Sequence, residues 1–151
     1  MHCPFCNHPV TDVKDSRSAH ENKVVRRRRA CTKCKGRFTT FERITLRELF
    51  VIKRSGVKKK FDRDKIIKSM LAAVRKRSVS SEQIEQIADK IQHELEKSAS
   101  GEILTRKIGE MIMKSLASID QVAYIRFASV YRDFSSAQDF AKFIGTIKTQ
   151  G

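Results

Sequence analysis

Two stretches of this chain alternate in the manner of strands, and the rest falls into helical spacing. "KVVRRRRAC", residues 23–31, sets β-branched Val24 and Val25 ahead of four arginines and reads as a strand. Alternate side chains of a strand share a face, so Arg26 and Arg28 project together, about 6.6 Å apart. Arg27 and Arg29 then point to the other side. "LFVIKRSGVKKKF", 49–61, holds two short runs joined at Ser55-Gly56, a hairpin in which glycine supplies the unusual backbone angles. On this reading Lys53 and Arg54 end its first strand, while Lys58, Lys59 and Lys60 occupy its second.

Helical patterns follow. "FDRDKIIKSMLAAVRKR" (61–77) predicts a helix capped by Asp62, with Phe61 and Ile66 as a hydrophobic staple. Its buried stripe is Ile66, Ile67, Met70, Leu71 and Val74. "SVSSEQIEQIADKIQHELEKSAS" (78–100) opens with a Ser80–Gln83 capping box and buries Ile84, Ile87, Ile91 and Leu95. "EILTRKIGEMIMKSLASI" (102–119) buries Ile108, Met111, Ile112 and Leu116. "DQVAYIRFASVYRDF" (120–134) buries Val122, Ile125, Ser129 or Val130, and Phe134. "SAQDFAKFIGTI" (136–147) is a short last helix. A hairpin followed by a small helical bundle is an α+β arrangement.

Charge changes this picture by dividing it. The 151 residues carry 32 Lys/Arg against 17 Asp/Glu, a formal net of +15, so the chain attracts polyanions, nucleic acid first among them. Residues 1–47 hold twelve of the bases and only four acids, a net of +8 in under a third of the length. Two modules with different work are implied: residues 1–46, and a second module over 47–136 with a tail or helix at 137–151. No apolar run approaches the ~20 residues of a membrane span. "MHCPFCNHPV" has neither the charged nor the apolar region of a secretory signal. The expectation is a cytoplasmic protein, whose thiols stay reduced.

That compartment bears on the cysteines. Cys3-x2-Cys6 and Cys31-x2-Cys34 are paired-ligand knuckles separated by 24 residues, a spacing suited to a hairpin that leaves one knuckle and returns to the other. Two pairs complete a tetrahedral site for one structural Zn²⁺, and four protein ligands leave no open position for catalysis. His2, His8 or His20 are the alternative ligands. A segment this short buries too little to fold alone, so the metal supplies its folding energy. It thereby holds the arginines in place for phosphate oxygens and guanine edges. Arg17, Arg26, Arg27, Arg28, Arg29, Lys33, Lys35 and Arg37 are the candidate nucleic-acid contacts.

The second module has its own cationic cluster. Lys53, Arg54, Lys58, Lys59 and Lys60 converge with Arg63 and Lys65 near the N-terminus of the first helix, a setting for a triphosphate. The P-loop pattern is absent and no Ser, Cys or His triad is evident, which favours binding without hydrolysis.

Six stretches spread along nearly the full length carry a resemblance: "MHCPFC", "DSR" at 15–17, "RRRRAC" at 26–31, "RFTTFE" at 37–42, "VIKRSG" at 51–56 and "VAYIRFASVYRDF" at 122–134. Together they resemble the bacterial ribonucleotide reductase transcriptional repressors, the NrdR family. The resemblance implies a zinc ribbon that binds double-stranded operator DNA and an ATP-cone that binds ATP and dATP. It implies a homo-oligomer whose size follows the nucleotide, acting at the bacterial nucleoid. It matches Cys3, Cys6, Cys31 and Cys34 to the zinc ligands, and Arg17 with the arginine run to the DNA-facing region. Lys53, Arg54 and Lys65 are expected at the phosphates, Val51 near the base, and Tyr124 and Tyr131 near the nucleotide. A zinc-ribbon RNA- or ribosome-associated protein is the runner-up reading, and a nucleotide hydrolase is a third.

Overall fold

The computed structural model describes residues 1–19, 22–45, 47–98 and 101–148, and divides the chain into two compact units, Met1–Leu46 and Arg47–Gly151. His20 lies outside the described residues.

The first unit is a three-stranded antiparallel sheet, β1 (Thr11–Ala19), β2 (Val24–Cys31) and β3 (Arg37–Arg43), with β2 in the centre. The arginine run is thus the strand its sequence predicts, with a neighbour on either side. β3, "RFTTFER", was not anticipated; its alternation is short, and its exposed positions mix Arg37, Thr39, Phe41 and Glu42. Among the described residues of this unit, only Cys3, Val24 and Cys31 are buried apolar residues. So small a core cannot offset the entropy of ordering the backbone without help.

The second unit has a three-stranded sheet of β4 (Phe50–Ile52), β5 (Lys58–Lys60) and β6 (Glu102–Leu104), ordered β5-β4-β6. Its helices are α1 (Arg63–Ala73), α2 (Ser81–Lys97), α3 (Thr105–Ile119), α4 (Gln121–Tyr131) and α5 (Ala137–Lys148). β4 and β5 form the hairpin, turning with Gly56 at φ 80°. The turn is tied by the Gly56 amide donating to the Lys53 carbonyl at 2.9 Å, so Lys53 and Arg54 lie on the turn itself rather than ending the strand. β6 pairs parallel to β4 after a crossover through α1 and α2. The reading of 102–119 as one helix missed it, because three residues carry no period of their own.

The helix caps behave as the sequence predicts. Asp62 accepts from the amides of Asp64 and Lys65, and Ser80 and Gln83 form the capping box. The main core joins Met70, Ile84, Ile91, Leu95, Ile108, Ile112 and Leu116 with Ile103 of the sheet and Leu49 just before β4. Burying each such side chain contributes about 1.5–3 kcal/mol. Met111 and Ile87 are half-buried, packed against this core. Leu71, placed in the buried stripe by periodicity, is exposed on α1.

The larger correction concerns α4. Val122 is exposed and Val130 is 88% exposed, while Ala123 and Ala128 are fully buried. Apolar residues occupy several sides of this helix, so periodicity alone could not choose the inward one. Packing chose the stripe of Ala123, Tyr124, Phe127, Ala128 and Tyr131, in which the alanines permit close approach of neighbouring helices. α5 completes a second, aromatic core in which Met113, Ala128 and Phe143 are buried among Phe134, Phe140 and the α4 aromatics.

Candidate functional site

The four cysteine sulfurs of the first unit all lie within 4.8 Å of one another. Cys3 and Cys34 approach to 3.6 Å, and Cys6 and Cys31 to 3.7 Å. A tetrahedral Zn–S length of about 2.3 Å requires sulfurs about 3.8 Å apart, so the donor set fits zinc in both chemistry and size. Among the described residues, no histidine joins the cluster.

The two knuckles are built alike. The Asn7 amide donates to the Cys3 carbonyl and the Cys3 amide to the His8 carbonyl, both at 2.9 Å. In the second, Lys35 donates to Cys31 and Cys31 to Gly36. Asn7 and Lys35, each just after a knuckle, are both left-handed, at φ 57° and 59°. Amides of Phe5, Lys33 and Cys34 point at sulfur, at 3.3–3.5 Å. Gly36 leaves room for the Phe5 ring, which a Cβ there would meet at 2.5 Å.

These contacts set the thiol acidities. Burial opposes ionisation of Cys31, yet the Cys34 and Lys33 amides and the neighbouring thiols outweigh it and bring it down to about 7. The Gly36 amide favours the Cys34 thiolate, but the surrounding Cys6, Cys3 and Cys31 sulfurs push it up to about 12. The two thiols of the second knuckle are thus driven in opposite directions. A divalent cation removes that conflict, since coordination deprotonates a thiol outright.

Beside the knuckles lies the sheet. Arg26 pairs with Arg17 on β1 and Phe41 on β3, and Arg28 with Asp15 and Thr39. Arg27 pairs with Ser16 and Thr40, and Arg29 with Val13 and Phe38. Of the four, only Arg28 is exposed; Arg26, Arg27 and Arg29 are half-buried, which corrects the expectation of a uniformly exposed run. Lys33 and Lys35 sit on the second knuckle, where Lys35 Nζ donates to the Thr32 carbonyl at 2.9 Å. A groove of about 710 Å³ runs beside Arg28, Arg29, Lys35 and Arg37.

The second unit holds a cleft of about 1050 Å³ between the hairpin and helices α1, α3 and α4. It gathers Val51, Lys53, Arg54, Lys65 and Tyr131 at its walls; Tyr124 is not in the lining and instead packs against Phe143 in the aromatic core. Ile66, Ile108, Ile112 and Phe127 form an apolar interior, and Lys59 and Arg126 add to the cationic rim. Sequence reasoning missed Arg126, whose guanidinium caps α1 by donating to the carbonyls of Ala73 and Arg75. It also missed Gly109, where a Cβ would lie 2.0 Å from the Tyr131 ring. That absent side chain lets Tyr131 lie against α3 and donate its hydroxyl to the Arg106 carbonyl at 2.9 Å.

Two expectations about this cleft need revision. Arg63 does not face an anion: it bonds Glu85 at 2.8 Å and Asp89 at 2.7 Å on α2. The first amides of α1 are not open either, because the Asp62 carboxylate already accepts two of them. Phosphates entering here would meet lysine and arginine side chains rather than the helix end.

Comparison with known proteins agrees with both units. Residues 1–42 match the family described as "Transcriptional repressor NrdR-like, N-terminal domain", and residues 49–137 match the ATP cone domain. The chain is 53% identical over 148 residues to the "Transcriptional repressor NrdR" of Erythrobacter litoralis, covering 98% of this chain and 97% of that one. It is 51% identical over 145 residues to the protein of that name from Caulobacter sp. strain K31, covering 96% and 92%. With a tetrathiolate ribbon, a basic sheet and an ATP-cone cleft in one chain, and relatives this similar along its length, the protein belongs to the NrdR family of transcriptional repressors.

Proposed function

We propose that this protein is a nucleotide-sensing repressor that binds operator DNA upstream of ribonucleotide reductase genes. In this reading one zinc ion, held by Cys3, Cys6, Cys31 and Cys34, stiffens the ribbon. Arg17, Arg26, Arg28, Lys33, Lys35 and Arg37 form the basic surface that meets the duplex, with Arg27 and Arg29 in the same strand behind it. ATP or dATP occupies the cone cleft, with Lys53, Arg54 and Lys65 on the phosphates and Val51 and Tyr131 toward the base. Tyr124 acts behind that wall, through its packing. The bound nucleotide selects the homo-oligomer, and the oligomer decides whether DNA is held. The nucleotide is a signal and is not hydrolysed, and the protein works at the nucleoid in the cytoplasm.

The observation that carries this reading is the cleft itself. A cationic rim beside an apolar interior of nucleotide size is the chemistry of a triphosphate joined to a base. No helix among the described residues is long and apolar enough to cross a membrane. The test is the mass of the protein in solution with ATP, with dATP and with neither, each sample then titrated with duplex from upstream of the reductase genes. Masses and DNA affinities should differ among the three, and Lys53→Ala should abolish the difference while zinc content stays at one per chain. Identical behaviour in all three states would overturn nucleotide control.

A further inference from the structure

We infer that the two faces of the ribbon sheet have different tasks: the face carrying Arg17, Arg26, Arg28, Arg37 and Arg43 grips DNA around an exposed Phe41, while Arg27 and Arg29 hold the sheet together. The inference rests on the reading of the ribbon as the DNA-binding unit and divides the arginines within it.

Pairing fixes the faces. Residues directly opposite in an antiparallel ladder project to the same side. Arg26 faces Arg17 and Phe41, Arg28 faces Thr39, Ala30 faces Arg37, and Val24 faces Arg43. Five arginines therefore share one side with Asp15, which is paired to Arg17 at 2.9 Å. The opposite side carries Arg27 and Arg29 alone from the run.

The bonding differs as sharply. Arg27 reaches Glu42 at 3.0 Å with its side chain 35% exposed, and its Nε is buried with no partner. Arg29 Nε donates to Thr40 at 3.2 Å. Both are tied across from β2 to β3, so part of each guanidinium is already committed within the sheet. The side chains of Arg26, Arg28 and Arg37 have no hydrogen-bond or ion-pair partner among the described residues, and Arg28 and Arg37 are exposed. Their charge-assisted bonds remain to be made. Phe41, 46% exposed, lies under the Arg43 guanidinium at 5.0 Å. An apolar ring left in water among cations is suited to the C5-methyl of thymine at a major-groove edge.

The test uses the full chain and a labelled duplex from upstream of the reductase genes, with affinity read by anisotropy from 50 to 200 mM salt. Arg26→Ala, Arg28→Ala and Arg37→Ala should each weaken binding roughly tenfold or more and flatten the slope of log affinity against log salt by about 0.9 per lost phosphate contact. Phe41→Ala should keep the slope and lose the preference for the thymine duplex over its uracil-substituted copy. The double variant Arg27→Leu with Glu42→Leu replaces the ion pair at unchanged net charge and should keep the slope. Arg29→Leu should keep it too, providing a second reading if the double variant fails to fold. If either flattens the slope as Arg28→Ala does, with zinc content and melting temperature intact, the division of faces is wrong. If the unsubstituted chain shows no salt-dependent binding to the duplex, the ribbon is not the DNA-binding unit and the division falls with it.

Discussion

Arg63 shows how one side chain can be diverted from the role its position suggests. It stands in the first turn of α1 among lysines, yet its guanidinium is only 15% exposed and clamps Glu85 and Asp89 of α2. Arg63→Ala should therefore destabilise the second unit by roughly 2–3 kcal/mol, short of a fully buried pair because Glu85 keeps contact with water. Urea unfolding monitored by helical circular dichroism measures it. Nucleotide affinity at low denaturant should hardly change, which separates this residue from Lys53. Gly109 makes the opposite case, acting through what it lacks. Gly109→Ala should push the Tyr131 ring from the cleft wall and weaken nucleotide binding by calorimetry. Tyr131→Phe should lose only the bond to Arg106, about 0.5–1.5 kcal/mol of stability. Lysines and cysteines at characteristic spacings announce themselves in a sequence. A glycine that makes room for a ring 22 positions away does not, and neither does the turn of Arg63 toward carboxylates on another helix.

At the scale of elements, legibility followed local signals. Caps that act within four residues, such as Asp62 and the Ser80–Gln83 box, were readable because both partners lie in one short window. β6 was not, since its only justification is the parallel neighbour contributed by β4. α4 was readable as a helix but not as to its buried face, which depends on which neighbours take its alanines. Its start is set by Asp120, whose carboxylate accepts from the Ala123 amide at 2.8 Å and from Arg77. The Ala123 amide first, and Arg77 after it, hold this carboxyl below its ordinary value of 3.8. A lowered folded-state value stabilises at any pH above the unfolded value, and the contribution disappears as pH falls through the folded one. Asp120→Ala should thus cost about 1 kcal/mol at pH 7. In thermal melts the gap between variant and parent should close as pH drops well below 3.8.

Across the whole molecule, the two units draw their stability from unlike sources. The helical unit has a contiguous buried core from Leu49 to Ala123, whereas among the described residues the ribbon buries three apolar ones, two of them cysteines. Structural zinc in small domains is worth about 10–16 kcal/mol of folding energy at neutral pH. A strong chelator should therefore unfold the ribbon and abolish DNA binding while the helical signal at 222 nm and nucleotide binding persist. Simultaneous loss of both signals would contradict separate stabilisation. The likeness of the two knuckles carries a final consequence. Each is already closed by its own pair of backbone bonds, and the ion ties the two together across the 24 residues between Cys6 and Cys31, which β1 and β2 pair into one ladder. The entropy of closing a loop rises only with the logarithm of its length, so ten extra residues inserted between the paired Ala19 and Val24, which now enclose four, cost about 1 kcal/mol. The link from β1 to β2 is therefore a place where the chain can be lengthened or tagged at a cost the metal's contribution far exceeds.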